Sequence, residues 1–514
     1  MKKILSLTLI LVALNAIAQN PADVLRYSFY PQNGTARNLA IGGAMGSLGG
    51  DVNATFVNPA GLSFYKTSEF VFTPGLYLNN NKSLYRESAT KEKKNLFGIG
   101  PVGFVVGSPI RNNPQNSHAL SIAFTQSASF NNRIKYKGLN NYSSFTEMWA
   151  EEAAKSGKTI DEIILDNQYA FSSALGLYTY LIDTFRITPT TLQIKGLPEF
   201  LLDNGQAVEQ ENTLTTRGGI YDLALGYAYN SKDKFYIGGS IGLPIVSYKR
   251  TTEYSERDTS ANAGNRFNYF NYTENFKTTG AGFYAKLGLI FKPQEFIRLG
   301  IAIHSPSFLF LTDKRSASLT ADTEDYNQLA SVSSDDLTGG RQGETKYQLL
   351  TPWKFIISGS YVFREVENVK KQKGFITADI EYIHHKGSSF YSGADQPTEE
   401  DRLYYKTLNK IVRNDYKGAF NFRLGGELKF NIIMARLGFA YYGNPNKDAA
   451  LKARQTLVSG GIGYRNKGMF IDLTYVHAFR KDYSFPYVLE DRANTFASLK
   501  QQRGNVVATI GFKF

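Results

Sequence analysis

Short segments in which apolar and polar residues alternate with a period of two recur along most of the chain. Between residues 420 and 430, for example, Phe420 and Phe422 fall on one side, whereas Asn421 and Arg423 fall on the other. Successive side chains of a β-strand point to opposite faces, so each segment indicates a strand with one apolar and one polar face. We therefore predict an all-β protein.

Two all-β architectures fit this pattern, a large exported sandwich and a transmembrane barrel. Aromatic residues make up 14% of the 514 residues, and there are 46 glycines. After the first 18 residues, no stretch approaches the roughly 18 consecutive apolar residues of a membrane-spanning helix. A sandwich would need a third layer to cover polar faces that carry charges of both signs, and we find none. The pattern favours an antiparallel transmembrane barrel with its apolar face outward.

We count fourteen candidate strands, an even number as expected for a bacterial single-chain barrel. They lie near residues 67–79, 96–108, 117–130, 216–230, 234–249, 267–291, 295–313, 346–363, 373–385, 417–430, 432–442, 456–465, 469–480 and 504–514. Connections that start near 80, 131, 250, 314, 386, 443 and 481 are mostly long, whereas the intervening ones are mostly short. This alternation is typical of extracellular loops and periplasmic turns. We predict two helices in the loop 145–182, irregular chain to about residue 213, and a third helix at 399–412.

The first 18 residues have the features of a secretory signal peptide. Lys2 and Lys3 precede an apolar run, and Ala16-Ile17-Ala18 matches a small-residue cleavage site. The chain has no cysteine, which excludes a lipoprotein anchor, a disulfide and a thiolate site. The net charge of +13 suits anionic lipid headgroups and a polar lumen, although a generic basic surface explains it equally well. We expect no nucleic-acid partner.

A glycine-rich stretch separates this leader from the strands. The run from Ala36 to Leu62 contains Gly42, Gly43, Gly49 and Gly50, and its composition is that of neither a strand nor an ordinary helix. We interpret residues 19–62 as a small, partly helical plug, or hatch, inside a barrel formed by residues 63–514. Glycine would let the plug backbone bend and pack tightly in the narrow interior.

Two apparent enzyme motifs are chance matches. Gly98, Gly100 and Gly103 fit the dinucleotide-binding spacing, but Pro101 interrupts it and a strand follows where a helix is needed. The run Gly238 to Gly242 fits the nucleophile-elbow pattern, but it lies inside a strand. The five histidines do not form a chelating pattern. We expect neither catalytic residues nor a metal or cofactor.

The plug sequence resembles the start of FadL-type (OmpP1/FadL) outer-membrane transporters. The resemblance rests on Thr35-Ala36-Arg37, Gly42-Gly43-Ala44 and, most specifically, the triplet Asn58-Pro59-Ala60 before the first strand. Ser305-Pro306, Thr351-Pro352 and the terminal Phe514 fit as well. It implies a fourteen-stranded barrel with an N-terminal hatch in the outer membrane of a Gram-negative bacterium. It also implies passive uptake of long-chain fatty acids or aromatic hydrocarbons through an apolar lumen pocket, with exit beside a kinked third strand.

The functional residues follow partly from the sequence and partly from this resemblance. The triplet Asn58, Pro59 and Ala60 is carried over as the plug motif. Most lumen charges are expected to pair, but Arg298 or Lys354 could contact the anionic head of a ligand. The expected partners are a hydrophobic small molecule, outer-membrane lipid and, through Phe514, the barrel assembly machinery. The alternative is a non-transporting barrel that serves as a scaffold or accessory in protein secretion or surface attachment.

Overall fold

The computed structural model describes residues 21–111, 113–260, 262–363, 373–449, 451 and 453–514, so the predicted signal peptide lies outside the described residues. The helices are α1 Asp23–Arg26, α2 Ala36–Ala40, α3 Phe145–Ser156, α4 Ile160–Leu165, α5 Ser173–Tyr178, α6 Leu197–Asp203, α7 Ser334–Leu337 and α8 Glu399–Asp415, with short 3-10 helices at Val52–Thr55, Pro59–Phe64 and His385–Gly387. The strands are β1 Glu69–Phe72, β2 Pro74–Tyr85, β3 Ser88–Ile99, β4 Val102–Ile110, β5 Asn113–Ser129, β6 Asn132–Asn140, β7 Ile182–Thr188, β8 Thr191–Gly196, β9 Val208–Ser231, β10 Phe235–Asp258, β11 Tyr269–Gln294, β12 Ile297–His304, β13 Phe308–Asp322, β14 Leu329–Ser333, β15 Gly343–Leu350, β16 Lys354–Phe363, β17 Gly374–His384, β18 Ser389–Ser392, β19 Gly418–Phe430, β20 Ile433–Tyr442, β21 Gln455–Asn466, β22 Met469–Ser484 and β23 Ala497–Lys513.

These strands form a closed antiparallel barrel of fourteen wall strands. Six wall strands are interrupted and contain two of the labelled strands each: β1 with β2, β3 with β4, β5 with β6, β12 with β13, β15 with β16, and β17 with β18. The barrel closes where the first wall strand pairs with β23, with Phe70 opposite Phe512. Each of the fourteen segments predicted from the sequence overlaps one wall strand, so the predicted fold class is confirmed.

The outer surface of the wall is apolar. In β19, Phe420, Phe422 and Leu424 are each about half exposed, at 54%, 46% and 52%, whereas Asn421 and Arg423 between them are buried in the lumen. In water, a protein with such an apolar belt around the whole molecule would aggregate, because large exposed apolar surfaces drive association. The hydrocarbon core of a lipid bilayer is a suitable environment for this belt. No helix in the described part of the chain is long and apolar enough to span a membrane.

The loop predictions were wrong in two places. The first extracellular connection is a two-residue turn at Arg86 and Glu87, because β2 and β3 continue beyond the membrane as a long hairpin. Residues 145–182 form three helices instead of two, and the stretch predicted to be irregular contains the β7–β8 hairpin and α6. Helices of six or seven residues are too short to produce a clear helical period in a sequence. The third predicted helix is present as α8.

The helices α3 to α6 and the β7–β8 hairpin form a folded cap on the extracellular ends of the wall strands. Trp149 and Phe145 of α3 are buried in an apolar cluster with Tyr254 and Tyr272 of the wall. The carboxylate of Glu256 accepts hydrogen bonds from the backbone N–H of Phe145 (2.7 Å) and the hydroxyl of Ser144 (2.6 Å). A carboxylate at a helix N-terminus is favoured by the orphan N–H groups and the helix dipole. Glu256 therefore attaches the cap to the wall.

The stability of α6 within the cap is expected to depend on pH through Glu199. Burial, together with the nearby charge of Glu147, raises the pKa of this carboxyl from 4.5 to about 7. A raised folded-state pKa means that the folded cap binds the proton more tightly than the unfolded one. The contribution of Glu199 to the stability of α6 is therefore fully present below pH 4.5 and is lost as the pH rises through about 7. Hydrogen exchange at the α6 amides, corrected for intrinsic rates, should slow between pH 8 and pH 5.

The control for this prediction is Glu199→Gln, which keeps an oxygen to accept the hydrogen bond from the N–H of Gly196. This variant should show α6 protection that no longer varies with pH across the same range. If the variant kept the pH dependence of the unmodified protein, another group would be responsible.

Candidate functional site

Residues 21–64 occupy the interior of the barrel. Helix α1 lies high in the lumen, where Val24 and Tyr27 join an apolar cluster that includes Leu408 and Val412 of α8. The chain then continues through α2 to the two 3-10 helices. The first packs against β4, β5 and β9, and the second mainly against β9, β10 and β11. Most of the side chains along this path are buried. We retain 19–62 and 63–514 as the proposed division between plug and barrel.

The four plug glycines selected from the sequence all adopt left-handed backbone conformations. Gly42, Gly43, Gly49 and Gly50 have φ values of +68°, +82°, +66° and +64°. Residues with a Cβ rarely adopt such values, so these positions require glycine for conformational reasons. Gly42 and Gly43 precede the short segment 44–48 of the plug, and Gly49 and Gly50 follow it.

A second set of glycines, on the wall, brings the plug backbone into direct contact with the strands. A Cβ added to Gly238 would lie 2.6 Å from the carbonyl carbon of Pro59, and one added to Gly425 would lie 2.2 Å from the carbonyl oxygen of Ile41. Gly300 has the same relation to Gly46. Sequence reasoning did not identify these residues. The sequence pattern that could have identified them is a glycine at an inward-facing strand position. Glycine weakens a strand there and often marks a close approach of another backbone.

The triplet Asn58, Pro59 and Ala60 lies at the end of the plug, against the wall. The amide of Asn58 donates to the carbonyl oxygen of Gly46 (2.6 Å), and its side-chain oxygen accepts from the N–H of Ala60 (3.1 Å). Pro59 begins the 3-10 helix, where its missing N–H has no cost. Ala60 is fully buried against Tyr236 and Ile290. The triplet joins two parts of the plug and seats them on β10 and β11.

Asp379 on β17 is a polar anchor of the plug. Its carboxylate accepts hydrogen bonds from the backbone N–H groups of Met45 (3.1 Å) and Gly46 (3.1 Å) and from the hydroxyl of Ser358 (2.5 Å). The group is 1% exposed. Hydrogen bonds to a buried charged group are about twice as strong as neutral ones. Asp379 therefore fastens the glycine-rich turn of the plug to the wall.

A cavity of about 110 Å³ lies in the lumen on the extracellular side of the plug. Its lining is mixed: aromatic and aliphatic side chains alternate with polar and charged ones. The apolar part consists of Tyr27, Tyr30, Phe56, Ile220, Pro244, Tyr284, Leu309, Pro352 and Ile383, and the charged part of Asp222, Lys286, Lys354, Glu381 and Arg423. Such a cavity can hold a molecule with an apolar body and a charged or polar end.

The two cations selected as ligand contacts lie at different levels of the barrel. Lys354 lines the lumen cavity, with its Nζ atom 5.3 Å from the centre of the Tyr30 ring. Arg298 lies lower, where it donates to the carbonyl oxygen of Leu48 (2.8 Å) and stacks over Phe64. The structure thus places Lys354 beside the cavity and Arg298 against the plug. Lys286, which sequence reasoning did not single out as a ligand contact, also lines the cavity and donates to the carbonyl oxygen of Phe56 (2.9 Å).

The barrel wall is irregular between the second and third wall strands. β4 and β5 pair as far as Val102 and Phe124. Above that level, no ladder joins β3 to β5 or β6 among the described residues. On the other side of β5, the register shifts between Gln126 and Ala128, which leaves Ser127 as a bulge. A bulge bends its strand, so the third wall strand bends at Ser127.

A plug residue bridges this break in the wall. The side-chain amide of Asn33 donates to the carbonyl oxygen of Gln126 (2.7 Å) on one edge and to that of Ile99 (3.4 Å) on the other. Asn33 also lines the lumen cavity, together with Thr125 and Ser127. The cavity therefore reaches the break in the wall, and Asn33 lies between them.

Comparison with solved structures identifies the fold. No family model and no curated protein matches the sequence. The crystal structure of the Pseudomonas putida toluene transporter TodX has 14% sequence identity and a TM-score of 0.52, covering 94% of this chain and 99% of that one. A Pseudomonas aeruginosa FadL homologue has 14% identity and a TM-score of 0.53, with the same coverage. The chain has the fold of FadL-type transporters. The resemblance inferred from the plug residues is confirmed at this level.

The FadL-type barrel also identifies the compartment. Closed barrels with an apolar belt are the membrane-spanning fold of the Gram-negative outer membrane. The chain is an outer-membrane barrel, with the cap at one end and the short turns at the other. From the alternation of long and short connections we expect the cap outside and the turns in the periplasm. The two dismissed enzyme motifs both lie in its wall, Gly98 to Gly103 across the β3–β4 break and Gly238 to Gly242 within β10.

Proposed function

We propose that this barrel mediates passive uptake of hydrophobic compounds across the outer membrane. The observation that carries the proposal is the continuity between the lumen cavity and the break in the wall at Ser127 and Asn33. The polar lipopolysaccharide layer stops hydrophobic solutes, whereas the hydrocarbon core does not. A protein that carries such a solute past this layer can release it sideways into the bilayer, so no open water-filled pore is needed.

The composition of the cavity supports an amphipathic ligand, such as a long-chain fatty acid, in preference to a pure hydrocarbon. Tyr30, Phe56 and Tyr284 would contact the apolar body, while the ammonium group of Lys354 would contact a carboxylate. A buried charge at the end of an apolar site is well suited to fix ligand orientation. The plug triplet would keep the cavity closed from below. Outer-membrane lipid and, through Phe514, the assembly machinery remain the expected partners of the wall.

The test of this function is uptake by cells. A Gram-negative host without its own fatty-acid transporter would express the full chain, and uptake of radiolabelled oleate and toluene would be measured in intact cells. We expect oleate uptake well above that of cells with an empty vector, and a selective loss of oleate uptake in Lys354→Ala. Uptake of both compounds at the empty-vector level would exclude the proposed function.

The exit route can be tested separately because the chain has no cysteine. In Asn33→Cys, a bulky methanethiosulfonate reagent would attach at the break in the wall, and dithiothreitol would remove it. We expect the attachment to stop most of the uptake and its removal to restore it. Tyr178→Cys, exposed on the cap, is the matched control. Full uptake by the labelled Asn33→Cys protein would place the exit elsewhere.

A further inference from the structure

A second and larger cavity, the periplasmic vestibule, opens at the other end of the barrel. Its volume is about 890 Å³, and it lies between the underside of the plug and the periplasmic turns. Leu48 of the plug and Phe64, just after the plug, form its roof, with Val362, Phe375 and Met434 of the wall beside them. Among the described residues, the vestibule and the lumen cavity share no lining residue, so we treat them as separate cavities.

The lining of the vestibule is strongly basic. Among the described lining residues, nine are lysine or arginine and three are aspartate or glutamate. Six of the cations are lysines near the periplasmic ends of different strands, which places them around the mouth: Lys66, Lys232, Lys234, Lys292, Lys429 and Lys513. Clefts lined by charges of one sign focus the electrostatic field and concentrate counter-ions. The vestibule is therefore an attractor for anions from the periplasm.

Neighbouring carboxylates neutralise part of this charge. Lys66 lies 3.2 Å from Asp233, and Lys513 lies 3.2 Å from Glu69, just outside the lining. Deeper in the vestibule, Arg37 lies 3.7 Å from Glu427. The Nε atom of Arg465 is buried and has no hydrogen-bond acceptor among the described residues. A buried donor of this kind is costly unless an acceptor reaches it, so the site is built to receive one.

We propose that the periplasmic vestibule is a docking site for an acidic peptide segment of a periplasmic protein. Cations arranged around a wide mouth suit a chain with several carboxylates better than a single small anion. The apolar roof suits an occasional apolar side chain within that segment. The charges face the interior of the barrel below the plug, whereas lipid headgroups lie outside the wall. A soluble periplasmic segment reaches this position directly, and a lipid would have to leave its leaflet.

Binding can be measured with the full chain in nanodiscs of zwitterionic lipid. The probe is a fluorescein-labelled octaglutamate peptide, followed by anisotropy, with octaglutamine and octalysine as comparison peptides. The test variant Lys232→Gln/Lys234→Gln/Lys429→Gln removes three charges from the mouth. The control Lys91→Gln/Lys93→Gln/Lys249→Gln removes three exposed charges from strands outside the vestibule, with the same change in net charge.

We expect octaglutamate alone to bind, and its affinity to fall about tenfold in the test variant, since three weak, exposed ion pairs with the peptide are lost together. The control should bind within about twofold of the unmodified protein. Equal weakening in both variants would mean non-specific attraction and would overturn the proposal. Displacement of the peptide when phosphatidylglycerol replaces the zwitterionic lipid would assign the site to lipid headgroups and would also overturn it.

A second measurement locates the bound peptide. An octaglutamate with a terminal maleimide should label Gln115→Cys, which lines the vestibule, far faster than Lys91→Cys, which lies on the extracellular hairpin. Because the natural chain has no cysteine, background labelling is absent. Equal labelling rates at the two positions would contradict a periplasmic docking site. These experiments do not involve uptake, so their failure and the failure of the proposed transport function are distinguishable.

Discussion

Replacement of Gly238 by valine is expected to displace the plug and to make the barrel leak while its wall stays folded. Even a Cβ atom at this position would lie 2.6 Å from the backbone of Pro59, and neither backbone can move without breaking a ladder or the 3-10 helix. Overpacking of this kind costs about 1–3 kcal/mol, which would raise the open fraction of the plug by a factor of about 5 to about 150. Single-channel conductance in a planar bilayer measures that fraction.

The neighbouring residue provides the matched control. Gly239 faces the other side of the same strand, and a Cβ there would make only ordinary van der Waals contacts, with the side chain of Leu287 at 3.4 Å and the carbonyl oxygen of Lys286 at 3.6 Å. Gly239→Val should therefore conduct no more than the unmodified barrel. Both variants should keep the mobility shift on heating that folded barrels show in gel electrophoresis. A closed, non-conducting Gly238→Val barrel would mean that the plug tolerates the added volume. The close approach of Gly238 to Pro59 would then not be needed to keep the barrel closed.

Loss of the Asp379 carboxylate is the second change with a large expected effect. In Asp379→Ala, the buried N–H groups of Met45 and Gly46 and the hydroxyl of Ser358 lose their common acceptor. Each hydrogen bond to a charged group contributes about 1.5–3 kcal/mol, and removal of one partner from a buried charged network costs about 3–5 kcal/mol. We expect faster hydrogen exchange at Met45 and Gly46 and increased ion conductance, with the wall strands still protected.

Two variants separate the charge from the general effect of substitution. Asp379→Asn keeps the shape and one acceptor oxygen, so its effect should be intermediate. Asp482→Ala removes a carboxylate that forms a partly exposed pair with Arg480 at 2.8 Å, and it should change stability by no more than about 1 kcal/mol. Exchange at the plug amides that is the same in Asp379→Ala and Asp482→Ala would show that Asp379 does not anchor the plug.

The wall of the barrel was predictable because its signal is local. In each strand, successive side chains point to opposite faces, and one face contacts lipid throughout the membrane span. The orientation of Phe420 and Phe422 can therefore be predicted without knowing which residues lie beside them. The strand count and the apolar belt follow from such patterns. The extracellular cap was less predictable, since its short helices and the β7–β8 hairpin depend on packing around Trp149.

Residues in the interior were predictable only where the local backbone conformation, and not a contact with a distant residue, determines the residue type. Gly42, Gly43, Gly49 and Gly50 could be selected because a glycine-rich turn is visible in the sequence. Arg298 and Lys354 looked equivalent as inward cations, yet one contacts the plug and the other the lumen cavity. Strand alternation specifies the face of a residue but not its neighbours across the lumen.

The sequence by itself determined a fourteen-stranded antiparallel membrane barrel with an apolar outer face, because alternation and composition are properties of short segments. Only the tertiary structure decided how plug and wall meet. The approach of Gly238 to Pro59, the acceptor role of Asp379, the bridge made by Asn33 and the basic vestibule all join residues far apart in the chain. Such contacts depend on strand register and on the path of the plug through the lumen, which no local pattern encodes.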